Sequence, residues 1–311
     1  MSKPKTARSV STNVGIRLKF QKKLIKFQSE FLQSVFTDIV RYVADAGQLA
    51  EDASYFDKNS PRVKRLIKEL GPKVLTAWRR DPVHFRQDIE AYIDKHLAEW
   101  TVNATSEAKA IAIWMALAIA ADVTASQRKA YIAAGLSPDY FRGRWTSPIP
   151  ATTKPIKTRR MMSKEASELL PQLVEWSTGL ITKMALKDVH KLQELMIRGF
   201  TEGNTVSAIE KMLRATDGFN ADRAHNVAID QTNKVTQGIK RANDHALGIT
   251  QGIWVHVPGQ YSSRETHKAM NGKIFDLDVG LYDSAAKRFT LPSIEPYCRC
   301  TYRAVIPKET I

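Results

Sequence analysis

From Phe20 onward, apolar side chains recur every three or four residues: Phe20, Leu24, Phe27, Phe31, Val35 and Ile39. That spacing lays all six along one face of a helix, so the chain must begin its ordered part as an amphipathic helix buried on one side. Lys22, Lys23 and Lys26 decorate the other face near its start. Ahead of it, residues 1–15 are Ser/Thr-rich, without periodicity, and carry Lys3, Lys5 and Arg8, which reads as a flexible basic arm.

Nothing from residue 1 to 135 has the alternation of a strand. Segments 83–100 and 105–133 read as two further helices, and Val63–Trp78 as a basic amphipathic stretch entered at Ser60-Pro61 and interrupted at Gly71-Pro72. The longest apolar run, Ala110 to Ala121, spans twelve residues, whereas a bilayer needs roughly 20. Rich in alanine and apolar all round, it reads as a core or subunit-interface helix rather than a membrane segment.

Residues 136–162 differ in texture. Pro138, Pro148, Pro150 and Pro155 forbid a long regular element, and no acid occurs between Tyr140 and Arg160. The segment holds Arg142, Arg144, Lys154, Lys157, Arg159 and Arg160, with Tyr140, Phe141 and Trp145 among them. Two readings stand side by side: a groove that tracks a phosphate backbone with rings free to stack on bases, or a linker whose aromatics pack onto a neighbouring helix. The net charge of +15 favours contact with a polyanion, first of all nucleic acid, because Lys and Arg that neutralise phosphates release counterions.

Ser163 caps a helix running to about residue 183, another follows from about 186 to 199, and a short one occupies Thr205–Arg214 after the Gly203-Asn204 stop. A long helix then begins at Asn220 and ends near Gly248; its Asp222, Arg223, Asp230 and Lys234 can form i,i+4 pairs, and its polar-face His225 and His245 have no ligand role. Beyond Gly248 the pattern becomes short apolar runs, Ile253-Trp254-Val255, Ile274-Phe275 and Tyr302 to Ile306, suited to a small sheet. The expected fold is therefore mainly α, a helical N-terminal region followed by a C-terminal α+β domain.

Two cysteines, Cys298 and Cys300, make no disulfide framework, so the thiols are expected to be reduced, and no apolar stretch follows the first residues that would serve as a signal peptide. If Cys298 and Cys300 lie on a strand, both sulfurs share one face, and with His267 or His256 they would supply zinc ligands. A Cys-x-Cys without a second pair is a weak signal, and two buried small hydrophobes is the plainer reading. Arg264 and His267, three apart, would share a helical face; with Asp276 and Asp278 they would suit a metal-dependent nuclease, although nothing fixes those acids toward the histidine. The preferred reading of the cluster is structural, with Arg264 and Arg299 making hydrogen bonds and Asn271-Gly272 forming a turn. No phosphate-binding glycine loop, zinc-protease motif or nucleophile elbow is present.

Taken in order, Arg223-Ala224, Gly252 and Trp254, Arg264 and His267, Asn271-Gly272, Pro296 and Cys298-Arg299-Cys300 resemble the phage Mu F-like (head morphogenesis, or minor capsid) family. The cover is roughly residues 165–307. The chain departs from relatives that carry Cys-x-x-Cys at the Arg264–His267 position and His-Pro before the last cysteines. The resemblance implies a non-enzymatic minor head protein without a required cofactor, located in the virion near the portal vertex and in the host cytoplasm during assembly. It implies the portal protein as partner, with the major capsid or a scaffolding protein further candidates, non-specific contact with double-stranded DNA, and no membrane. Residues 16–135 would then dock on portal or capsid, and residues 163–311 would form the family domain.

Overall fold

A computed structural model of the protein describes residues 4–46, 82–150, 161–201, 221–258 and 264–308. Four long helices dominate: α1 (Val14–Ala46), α2 (Pro82–Ala133), α3 (Lys164–Thr201) and α4 (Ala221–Ala246). The short α5 (Glu265–Met270) and strands β1 (Ser147–Pro148), β2 (Met161–Met162), β3 (Gln251–Val255), β4 (Ile274–Asp276), β5 (Leu281–Asp283), β6 (Arg288–Thr290) and β7 (Thr301–Ala304) complete the described elements. The mainly helical architecture with a small C-terminal sheet agrees with the sequence reading. The segments expected at Val63–Trp78 and Thr205–Arg214 lie outside the described residues.

Two of the expected helix breaks do not exist. Residues 83–100 and 105–133 are one helix, α2. Thr101 turns its hydroxyl back onto the Leu97 carbonyl at 2.6 Å, so the Thr/Asn-rich stretch that suggested a loop is satisfied within the helix. Likewise the helices expected to end near 183 and to begin near 186 are one, α3, unbroken from Lys164 to Thr201. By length and composition α2 would suffice to cross a bilayer, but half of its most apolar window is buried inside the protein. Ala112, Met115, Ala116 and Ala120 are fully covered, which accounts for the apolar run as core.

The chain forms two compact units, each assembled from separated stretches: one from residues 1–22, 109–177 and 224–311, the other from 23–108 and 178–223. The second unit is a helical core. Leu24, Phe27, Phe31, Val35 and Ile39 of the expected stripe are all buried there, as are Ile89, Ile93, Ile181, Val189 and Leu192. Its interior also holds Asp188, which accepts from Gln28 and from Arg223 Nη1 at 3.3 Å.

The first unit holds the sheet. β3 is central in the order β4-β3-β7, antiparallel to both neighbours, with Gly252 opposite Phe275 and Ala304, and Trp254 opposite Tyr302. β5 and β6 form a separate hairpin. Residues 5–10 are not a free arm. Ala7 N donates to Ala304 O (3.1 Å), Ile306 N donates to Lys5 O (3.0 Å), and the side chains of Ala7 and Val10 are buried. The segment covers the outer edge of β7 and thereby satisfies backbone groups that would otherwise face solvent.

The polar face of α4 is buried. Its Asp230, Asn233, Gln237, Lys240 and Asp244 recur at helical spacing and are all less than a tenth exposed. Asp244 is the hub. Its carboxylate accepts from Gln127 Nε2 (2.8 Å), the Tyr131 hydroxyl, Tyr302 Oη (2.6 Å) and Lys240 Nζ (3.4 Å). Beside it, Asn243 donates to Thr124 Oγ1 and Gln127 Oε1 and accepts from the Ser163 amide. A buried network of this kind fixes one register of helix against sheet, because any shift orphans several groups together.

Candidate functional site

The motif residues of the last sixty positions converge around one buried histidine. β3 carries Trp254, wholly buried, whose ring meets His267 edge-on at 5.5 Å and Phe275 at 5.7 Å. At position 252 only glycine fits: a Cβ there would lie 2.8 Å from the Tyr302 ring and 3.2 Å from Leu277 and Phe275.

The Asn271-Gly272 turn closes α5 onto β3. Gly272, at φ +82°, donates its amide to Trp254 O (2.8 Å), and Asn271 Oδ1 accepts from the His256 amide (2.9 Å). The turn thus holds two histidines in place, His256 just beyond β3 and His267 on α5. At the start of α5, Arg264 Nη2 donates to Pro296 O (3.1 Å), which ties the helix to the loop leading to the cysteines. That loop is also pinned by a two-pronged Arg288–Glu295 ion pair (2.9 and 3.0 Å) and by Ser293 Oγ donating to Cys300 O (2.8 Å). Tyr297, at φ +60°, donates its amide to Asp230 Oδ1 (2.8 Å).

Cys298 and Cys300 lie just before β7 and not on a strand, yet both sulfurs turn inward to His267. His267 Nδ1 is 3.4 Å from Cys298 Sγ and 3.8 Å from Cys300 Sγ; the three potential ligand atoms are mutually within 4.8 Å and all three residues are buried. His256 Nδ1 stands 3.6 Å from Cys300 Sγ. On its far side, His267 Nε2 meets Asp283 Oδ2 at 3.1 Å, and both side chains are almost fully buried. Asp283 Oδ1 accepts from the amides of Ala285 and Ala286.

The electrostatics are asymmetric. Hydrogen bonding between the two sulfurs holds the Cys300 thiol down at about 7, against burial, with help from the Val257 amide and the Trp254 side chain. The same contact, with burial, raises Cys298. Trp254 Nε1 has no hydrogen-bond partner of ordinary geometry and faces the Cys300 sulfur. His267 is raised, chiefly by Cys298 and then by Asp283, in opposition to burial. Burial opposes ionisation of Asp283, yet hydrogen bonds from Thr266, the two amides and His267 keep it low.

Residues 190–303 match the family described as Phage Mu protein F like protein. Over that stretch the chain is similar to the Mu F-like family. Neither the curated proteins nor the solved structures searched gave a match.

Within the first unit, Trp254, Arg264, His267, Asn271, Gly272, Pro296, Cys298 and Cys300, which the sequence reading singled out, therefore share one site. Arg299 does not join it: it makes no hydrogen bond among the described residues and stands near Arg17. Arg223 belongs to the other compact unit, where it pairs with Asp188. Asp276 and Asp278 do not face His267. Asp276 accepts from the amides of Asp278 and Val279, while Asp278 lies 3.2 Å from His245 Nε2. The acid that does serve His267 is Asp283, which sequence reasoning missed.

Of the basic residues, Lys5, Arg8, Arg142 and Arg144 are exposed. Arg8 shares an open groove of about 580 Å³ with Lys129 and Ser126, and Arg142 another of about 350 Å³ with Arg128. Phe141 and Trp145 are buried in the core, so the packing reading holds for these two rings, and neither is free to stack on a base. Arg144 lies over the Tyr140 ring at 4.1 Å, and Tyr140 Oη donates to Leu247 O. Lys3, Lys154, Lys157, Arg159 and Arg160 lie outside the described residues.

Proposed function

We propose that the protein is a minor head protein of a tailed phage or prophage that associates with the portal vertex and acts in procapsid assembly and in packaging or ejection of DNA. The observation that carries this reading is the Mu F-like match over residues 190–303, supported by the convergence of its motif residues on one buried site. Double-stranded DNA is contacted without sequence preference, through Lys5, Arg8, Arg142, Arg144 and the basic residues at 3, 154, 157, 159 and 160. The +15 charge supports such contact, since phosphate neutralisation is independent of sequence. With the rings of Phe141 and Trp145 taken up by the core, the contact is electrostatic and does not depend on base stacking. The role is structural, and no catalytic residue is assigned.

The test uses the full chain, tagged and co-expressed with the portal protein encoded beside it. Co-purification at a fixed stoichiometry, together with the protein's presence in purified virions, is expected. Absence from virions combined with no portal binding would refute the reading.

A further inference from the structure

We infer that His267, Cys298, Cys300 and His256 form a structural zinc site that clips α5 and the terminal loop onto the end of β3. The argument is geometric. With Zn–S near 2.3 Å and Zn–N near 2.0–2.1 Å, the edges of a tetrahedral site come out at roughly 3.5 Å for sulfur to nitrogen and roughly 3.8 Å for sulfur to sulfur. The separations between His267 Nδ1 and the two sulfurs, 3.4 and 3.8 Å, and between His256 Nδ1 and Cys300 Sγ, 3.6 Å, are edges of that size. His267, Cys298 and Cys300 are preassembled. His256 is half-buried and touches the Cys300 corner, so it is the ligand that moves inward when the ion arrives.

The surroundings of the cluster point the same way. Asp283 takes the Nε2 hydrogen of His267, so the Nδ1 lone pair is aimed at the sulfurs; a carboxylate behind a histidine is the usual support of a metal-bound imidazole. That carboxylate is itself held by two backbone amides, so its orientation is fixed. The Trp254 indole N–H, otherwise without a partner, faces the Cys300 sulfur as it would a thiolate.

Charge balance agrees with the burial. Binding releases one proton from each thiol to solvent, and a divalent ion with two thiolates and two neutral imidazoles is neutral, so the ion and its ligands add no net charge beside the Asp283 carboxylate, which two amides and the His267 N–H hold. Thiolate and imidazole donors select zinc over magnesium or calcium. Four protein ligands leave no open position for a reactive water, so the ion holds structure and does not catalyse. Sequence spacing signalled the site only weakly because its ligands come from three places, His256, His267 and the Cys298–Cys300 pair, rather than from two Cys-x-x-Cys knuckles.

The inference does not rest on the head-protein reading, since the metal is measured on the isolated chain. Full-length protein, purified under reducing conditions from zinc-supplemented cells, is analysed by elemental mass spectrometry and then reconstituted with cobalt(II). About one zinc per chain is expected, with tetrahedral cobalt bands in the visible and a thiolate charge-transfer band in the near ultraviolet. Cys298→Ser and Cys300→Ser should each lose that charge-transfer intensity, and Asp283→Asn should weaken binding by roughly 10–100-fold. His256→Ala should bind more weakly while retaining both thiolates. If a cysteine variant fails to fold, the cobalt spectrum of the wild-type chain decides alone. Reduced wild-type protein with far less than one zinc and no tetrahedral cobalt spectrum would overturn the site. An unchanged affinity and spectrum in His256→Ala would overturn the four-ligand assignment.

Discussion

Replacing Asp244 by alanine removes the hub of the buried polar network and leaves Lys240 Nζ, Gln127 Nε2 and the hydroxyls of Tyr131 and Tyr302 without their shared acceptor. Lys240 and Asp244 are 1% and 0% exposed, so water does not replace the lost partner. An uncompensated buried charge costs about 3–5 kcal/mol. The lysine limits the damage by losing its proton, and neutralising an ordinary lysine at pH 7 costs about 5 kcal/mol, which sets the ceiling for this part. The orphaned donors add to it, though not additively. Against a native stability of about 5–15 kcal/mol, a loss of about 3–5 kcal/mol means that Asp244→Ala should remove at least about a fifth. Urea denaturation followed by tryptophan fluorescence measures it, in a cycle with Lys240→Met. The double variant should be less destabilised than the sum of the single ones by about 2–4 kcal/mol, because the methionine removes the stranded cation. A loss under about 1 kcal/mol for Asp244→Ala, or additivity in the cycle, would refute the hub.

The same pair gives a pH signature. Burial depresses Lys240 to about 8, with Asp244 opposing the shift. A depressed folded pKa means that the unfolded chain holds more protons between about 8 and its ordinary value, so stability should rise with pH across that window, by at most about 1.4 kcal/mol per unit. Tyr131 and Tyr302 are raised, first by burial and then by the Asp244 charge, so stability should fall again once unfolded tyrosines ionise. Lys240→Met should abolish the rise and keep the fall.

Three further outcomes are expected. Gly252→Ala should destabilise the first unit by about 1–3 kcal/mol, read as a lowered Tm, because its Cβ would strike the buried Tyr302, Leu277 and Phe275 rather than a flexible surface group; an unchanged Tm would show that the sheet yields. Asn271→Ala should cost about 1 kcal/mol through the lost bond to the His256 amide, again by denaturation, with an unaffected midpoint as the contrary result. DNA affinity should fall steeply with salt, and the slope of log K on log salt should shrink by roughly 0.9 for each of Arg8, Arg142 and Arg144 that contacts phosphate when replaced by alanine; a flat dependence in the wild type would remove DNA contact from the proposed role.

How much was legible in the sequence follows from the kind of signal each feature leaves. The stripe from Phe20 to Ile39 was readable because apolar periodicity maps directly to one buried face. The sheet was readable from short apolar runs after Gly248, but its register, with Trp254 opposite Tyr302, was not. The continuity of α2 across residues 101–104 and of α3 across residues 184–185 was not, because a lapse in local propensity or pattern reads as a break that long helices absorb when their neighbours pack well. The buried face of α4 was least legible: the polarity of Asp230, Asn233, Gln237, Lys240 and Asp244 alone cannot say whether the partner is water or another buried group. The cysteines were singled out correctly, but Asp283 carried no local pattern that linked it to His267.

The pairing of residues 5–7 with residues 304–306 has a consequence for synthesis. The first unit needs segments from both sides of the stretch 23–108 and again from beyond residue 223, whereas the second has all its parts once residue 223 has been made. On a ribosome the helical unit can therefore settle first, while the segment around Ala7 waits through most of translation for β7 to be made. A message cut short before Thr301 would leave the basic segment at 5–8 unsheltered and the β3 edge bare, so truncated products would aggregate or be cleared rather than persist as half-working copies.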